Sequence, residues 1–146
     1  MLVRRAGVGD LDDVAPLFDG YRQFYGQPSD LAAARAFLAE RLRRDESVIF
    51  VAIADDVTLG FTQLYPSFSS VSVRRLWILN DLFVDTGARR AGVGRALLAR
   101  ARAWAVETDA KGLTLSTEVS NESAQHLYES CGWTRDSEFL HYHLFL

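Results

Sequence analysis

A chain of 146 residues, with 49% hydrophobic and 24% charged residues, has the balance of a globular protein and the length of one ordinary domain. A net charge of −3 argues against a sequence-independent nucleic-acid binder, which needs a basic face, so no nucleic-acid partner is expected. The one cysteine, Cys131, cannot close an internal disulfide, which makes a reducing cytoplasm the expected compartment. No membrane association is expected either, because no run nears the roughly 20 apolar residues that span a bilayer.

In chain order, Met1 to Ala6 reads as a short strand. Asp10 is placed to cap a helix whose apolar positions, Leu11, Val14, Leu17, Phe18, Tyr21 and Phe24, recur at helical spacing. Gly26-Gln27-Pro28-Ser29 breaks that pattern, and a second helix carries Leu31, Ala34, Leu38 and Leu42 on one face. Ser47 to Ala54 is a continuous apolar, β-favouring run, and Asp55-Asp56 turns it into a hairpin with Thr58 to Tyr65. Pro66 to Ser72 reads as a polar loop. Arg75 to Val84 is the longest strand candidate, with polar Asn80 and Asp81 at its centre, where a plain core strand has none.

A helix follows from about Gly92 to Thr108, with Val93, Leu97, Ala101, Trp104 and Ala105 on its inner face. Leu113 to Thr117 is a strand, Asn121 to Ser130 a helix stopped by Gly132, and two last strands fit Trp133 to Arg135 and Phe139 to Phe145. No repeat or linker divides the chain, so one domain over residues 1–146 is expected. The order β-α-α-β-β-β-α-β-α-β-β describes an α/β (α+β) fold, with a mixed, mostly antiparallel sheet of six to seven strands flanked by four helices.

Between the long strand and the third helix lies Arg89-Arg90-Ala91-Gly92-Val93-Gly94-Arg95. A helix N-terminus carries unpaired N–H donors and partial positive charge, so an anion is stabilised there. Glycines let a phosphate approach the backbone, and the arginines add forked donors. The Walker pattern is absent, and the dinucleotide fingerprint fails because its third glycine position holds Leu97. What remains is R-x-x-G-x-G between strand and helix. On the next helix, Asn121 and Tyr128 lie seven residues apart, about 700° of helical rotation, and so share one face. By themselves Asn121 also fits a helix cap and Tyr128 a half-buried aromatic.

With these motifs the chain resembles the GCN5-related N-acetyltransferase (GNAT) superfamily over essentially its whole length, most strongly from Leu76 to Trp133. The resemblance implies an acetyl-CoA-dependent N-acetyltransferase. It implies that the strand before the turn bulges and splays, so that Leu82, Phe83 and Val84 contact the pantetheine arm. Arg89, Arg90, Ala91, Gly92, Val93, Gly94 and Arg95 would wrap the pyrophosphate, and Asn121 would contact the CoA arm. Tyr128 is assigned as the proton donor to the departing sulfur, a role that a neutral phenol can fill at pH 7. A backbone N–H of Leu82 or Phe83 would polarise the thioester oxygen.

Asp81 and Glu118 are candidates for taking the amine's proton, directly or through water. Asp81 also fits an ion-pair partner and Glu118 a solvated loop residue. Tyr21, Tyr25 and Tyr65 belong to the part of the chain that shapes the acceptor pocket in the family, and core packing equally accounts for them. His141 and His143 share a strand face but lack further ligands at metal-site spacing, so no metal is expected.

Within the superfamily the pattern is similar to the short polyamine- and histone-acetylating members (spermidine/spermine acetyltransferases and the Hpa group). Diamine acetyltransferases carry an acidic pair on the long strand, and here Asn80, a further candidate for touching substrate, replaces its first member. The expected reaction is direct transfer to a primary amine of a small molecule in a ternary complex. A protein or peptide acetyltransferase and a non-catalytic CoA-binding module are the alternatives. The resemblance also implies a homodimer.

Overall fold

A computed structural model describes residues 1–146 throughout. Five strands form one sheet in the order of the chain: β1 (Leu2–Arg5), β2 (Val48–Ala54), β3 (Val57–Ser69), β4 (Arg74–Val84) and β5 (Gly112–Thr114). All neighbours are antiparallel except β4 and β5, which are parallel. Four helices accompany the sheet: α1 (Leu11–Phe24), α2 (Leu31–Arg43), α3 (Val93–Glu107) and α4 (Glu122–Ser130). The chain divides into two compact units, Met1–Ser116 with the sheet and α1 to α3, and Thr117–Leu146 with α4. No helix is long and apolar enough to cross a membrane.

The unbroken apolar run of β2 follows from burial on both faces. Ile49 and Val51 join Leu11, Val14, Phe18, Leu38 and Phe61 in the core under α1 and α2. Phe50 points the other way, its ring 6.0 Å from Trp104 of α3. On α3 the residues Val93, Leu97, Leu98, Ala101 and Ala105 are buried, close to the stripe expected from their spacing. Asp55 and Asp56 close the β2–β3 hairpin with φ of 50° and 61°, the paired left-handed geometry of a two-residue turn that follows strand twist.

Asp10 stands at the start of α1 but caps no α1 N–H. Its carboxylate instead accepts from the Gly7 N–H at 2.8 Å and takes both arms of the Arg4 guanidinium, at 2.7 and 3.1 Å, tying β1 to the helix start. The passage from α1 to α2 is held by Asp19, a carboxylate that is 6% exposed. It accepts from Ser29 Oγ at 2.7 Å, the Asp30 N–H at 2.8 Å and Gln23 Nε2 at 3.1 Å. These donors hold its pKa below the usual carboxylate range, the Ser29 hydroxyl most of all. Asp30 in turn caps α2 by accepting from the Ala33 N–H at 3.0 Å.

Three expectations need correction. The sheet has five strands, not six to seven, because Trp133 to Arg135 and Phe139 to Phe145 form no strand. Alternating β-favouring residues become a strand only when another backbone pairs with them, and none does here. Phe139, Leu140, Tyr142, Leu144 and Phe145 are accordingly 72–88% exposed. Pro66 to Ser69 is strand, not loop, with Pro66 opposite Trp77. The β2 pairing ends at Leu64, so one side of β3 is open from there on, and a proline without an N–H is tolerated. β5 stops at Thr114, short of Thr117.

Candidate active site

The site begins with a count of residues. Gln63 pairs with Asp81 and Leu64 with Leu79, which leaves Asn80 as an extra residue in β4, a bulge. An extra residue reverses the alternation of side chains beyond it. Before the bulge, Trp77 packs against Trp104 of α3 with ring centroids 5.9 Å apart. Beyond it, Phe83 packs against Tyr21 of α1 with centroids 6.5 Å apart. Positions 77 and 83 differ by an even number and would share a face in a regular strand. Asn80 thereby delivers Asp81 to the α1 face, beside Gln63 and among phenols.

On that face Asp81 is 2% exposed. Gln63 Nε2 donates to its Oδ2 at 2.5 Å and Asn80 Nδ2 to its Oδ1 at 2.8 Å. Its own backbone oxygen accepts from Thr62 Oγ1 at 2.8 Å, and the Asn80 carbonyl accepts from the Tyr21 hydroxyl at 3.0 Å. The bulge therefore keeps its backbone satisfied through side chains. Burial pushes the Asp81 pKa up, while the bonds from Asn80, Gln63 and Tyr21 pull against that shift. Burial and the nearby Asp81 charge push the Tyr21 and Tyr65 phenols well above their usual range, so both stay protonated donors. Tyr25 is 41% exposed and its ring lies 5.1 Å from that of Tyr21.

The far end of β4 leads to the turn. β5 pairs with β4 only from Leu76 to Ile78, so Leu79 to Val84 run on without that neighbour. Gly60 of β3 lies opposite Val84, and a Cβ there would sit 2.7 Å from the Phe83 carbonyl oxygen. Glycine is thus required for the two strands to approach at this level. In the turn Arg90 and Gly92 adopt left-handed φ of 67° and 78°. For a residue with a side chain this costs about 1 kcal/mol, a strain stored at Arg90.

Gly92 is the N-cap of α3 and offers no side-chain cap, and a Cβ there would meet no heavy atom within 4 Å. The first-turn N–H groups of α3 thus begin at an open, uncapped turn, which fits a pyrophosphate. Arg90 and Arg95 are exposed there, whereas Arg89 turns back and its Nε donates to the Val84 carbonyl at 3.2 Å. Leu82, Phe83 and Val84 are half-buried on the strand just before this turn.

The remaining candidates lie in the second compact unit. Asn121 caps α4, its side-chain oxygen accepting from the Ala124 N–H at 3.1 Å, so the capping reading of this residue holds in the structure. Tyr128 is half-buried on α4, its ring 6.1 Å from that of Trp133. Glu118 is exposed before the helix, and its carbonyl accepts from Gln125 Nε2 at 3.3 Å.

Two residues that hydrogen-bond Asp81 escaped the reading of the sequence, Gln63 and Thr62. Their signal was present: both are polar within the apolar run Phe61 to Tyr65, as Asn80 and Asp81 are within the long strand.

Comparison with known proteins agrees with this architecture. Residues 13–133 match the model of the Acetyltransferase (GNAT) family. The chain is 51% identical over 142 residues to the uncharacterized N-acetyltransferase YhfO of Bacillus subtilis, covering 97% of this chain and 95% of that protein. It is 33% identical over 129 residues to a probable acetyltransferase of Haemophilus influenzae, covering 88% and 84%. A crystal structure of a probable acetyltransferase superposes with a TM-score of 0.95 at 51% identity, over 100% of this chain and 98% of the other. The chain belongs to the GNAT family of acetyltransferases and is an N-acetyltransferase. The family uses acetyl-CoA as the acetyl donor, and the turn at Gly92 fits its pyrophosphate.

Proposed function

We propose that the chain acetylates a primary amine of a small molecule by direct attack on acetyl-CoA within a ternary complex. The observation that carries the acceptor half of this reading is Asp81, a buried carboxyl on the α1 face of β4. The phenols of Tyr21 and Tyr65 lie within its field. Aromatic faces and a carboxylate suit an amine, which is cationic before it reacts. The acetyl donor supplies an activated thioester.

Arg90, Gly92 and Arg95 hold the pyrophosphate at the α3 N-terminus, and the backbone of Leu82 to Val84 holds the pantetheine arm. The N–H of Leu82 or Phe83 polarises the thioester oxygen. The ammonium first gives one proton to solvent, the amine lone pair then forms the new C–N bond, and the C–S bond breaks with its electron pair on sulfur. Asp81 receives the proton that the amine nitrogen gives up, directly or through water, with Glu118 as the second candidate for that task. Tyr128 donates a proton to the sulfur, and both groups are reset by exchange with solvent. Asn80 and the phenols of Tyr21, Tyr25 and Tyr65 touch the acceptor. A lone carboxyl beside Asn80, in place of an acidic pair, supports an acceptor presenting one amine at a time over a long polycation.

The test is thiol release from acetyl-CoA with panels of polyamines, amino acids, aminoglycosides and peptides. Small amines are expected to raise release well above hydrolysis. Release stimulated by peptides alone would move the assignment to a protein or peptide acetyltransferase. Binding of acetyl-CoA with no stimulation by any amine would favour a CoA-binding module.

A further inference from the structure

Gln63 is wholly buried between Phe61 and Leu64 on a central strand, a position that ordinarily takes an apolar side chain. Its Nε2 donates to Asp81 Oδ2 at 2.5 Å, and its Oε1 has no hydrogen-bond partner. An unpaired buried amide oxygen is costly, and a strand residue chosen only for packing would not carry one. Turning the amide by 180° exchanges its two ends with almost no change in shape. The idle Oε1 then meets the same Oδ2, where it accepts a hydrogen bond from a protonated carboxyl.

We propose that Gln63 is a positioning residue whose amide reverses as Asp81 gains and loses a proton, holding the carboxyl on the α1 face in both states. When Asp81 is ionised, Nε2 donates to Oδ2. When Asp81 is protonated, Oδ2–H donates to Oε1. Neither state leaves the carboxyl without a buried partner, so proton uptake does not require the bulge to rearrange. This inference rests on the reading that Asp81 takes the acceptor's proton.

The groups that face Asp81 come from three elements. Tyr21 lies on α1, Gln63 and Tyr65 on β3, and Asn80 beside it on β4. Arg41 of α2 acts on Tyr65, and the groups acting on Asp81 itself are Asn80, Gln63 and Tyr21. Both phenols stay protonated across the working range, so they do not produce an acid limb, and on the reading that Asp81 takes the proton the limb follows Asp81.

The experiment compares pH profiles of kcat/KM for the acceptor in the wild type, Gln63→Met and Asp81→Asn, with the acetyl-CoA KM as a control. Methionine keeps the length and volume of glutamine and removes the amide. The variant loses a hydrogen bond in both protonation states, and the bond to the charged carboxylate is the stronger, so the acid limb is expected to move upward by about half to one pH unit, whereas a shift of about two units marks a fixed donor and overturns the reversal. The acetyl-CoA KM should stay close to the wild type while the high-pH plateau falls a few-fold as the carboxylate loses one of its two side-chain donors, a pattern that a merely structural role would not produce. A limb unmoved in Gln63→Met overturns the inference.

Disappearance of the limb in Asp81→Asn supports the assignment beneath it. A limb that survives Asp81→Asn overturns that assignment instead. Infrared titration of the wild type needs no Gln63 variant. The pH-dependent changes absent from Asp81→Asn are expected to include a downward shift of the Gln63 amide C=O band as Asp81 gains its proton and Oε1 begins to accept, and an amide band that does not respond overturns the role of Gln63.

Discussion

Gly60→Ala tests how β3 and β4 set up the donor-binding strand. The added Cβ would lie 2.7 Å from the Phe83 carbonyl oxygen, 3.2 Å from Val84 Cα and 3.2 Å from Val93 Cγ1. Two of those three atoms are backbone and cannot rotate away, so β4 must move. Overpacking of this kind costs about 1–3 kcal/mol, and removal of a strand glycine returns up to about 1 kcal/mol. The expected net loss is about 1–2 kcal/mol, a fall in Tm of about 3–8 °C for a chain of this size. Because the displaced atoms belong to Phe83 and Val84, the acetyl-CoA KM should rise several-fold while the pH dependence of kcat holds. Thermal denaturation and thiol-release kinetics measure both effects. Gly7→Ala is the control, since a Cβ there meets nothing within 4 Å and its φ of −125° suits any residue. A Gly60→Ala protein with wild-type Tm and KM would refute the argument that this close approach positions the strand.

Asp19→Ala removes the acceptor of the Ser29, Asp30 and Gln23 donors and should cost about 2–3 kcal/mol. Because the folded pKa of Asp19 is depressed, its contribution is present above about pH 4 and drains away as pH falls toward the folded value. The Tm gap between wild type and variant, followed by calorimetry, should therefore narrow only below about pH 4. Deleting Asn80 should return Asp81 and Phe83 to the α3 face and leave the chain largely unfolded by circular dichroism. Asn80→Ala, which keeps the residue count, should fold with a Tm within about 4 °C of wild type. Tyr128→Phe should lower kcat by about ten- to a thousandfold with little change in acetyl-CoA affinity, read by steady-state kinetics and calorimetric titration.

What the sequence revealed and what it hid follow from where the information sits. Periodicity located α1 and α3 well, because one buried stripe per helix leaves a repeating signature in Leu11 to Phe24 and Val93 to Ala105. The turn at Arg90 to Gly92 was legible through its glycines, and the structure added the left-handed angle that favours glycine at position 92. Asn80 and Asp81 announced themselves as polar residues in an apolar strand. Their consequence, the reversal of faces, depends on pairing with Gln63 and Leu64, which no local window contains.

Gln63 was missed for the same reason, since its meaning lies in the residue opposite. The final strands failed because alternation in Phe139 to Phe145 describes a capacity for pairing, and pairing is a property of two backbones. Pro66 misled in the other direction: it signals a loop unless the open side of β3 is known.

Amine-dependent, direct acetyl transfer is the central feature of the proposed reaction. Initial rates of thiol release, measured over a grid of acetyl-CoA and the best amine from the panel, test it in one experiment. Direct attack in a ternary complex predicts double-reciprocal lines that intersect, with release dependent on the amine and one acetylated amine formed per thiol. Parallel lines together with an acetylated form of the protein, or release indifferent to every amine, would contradict it.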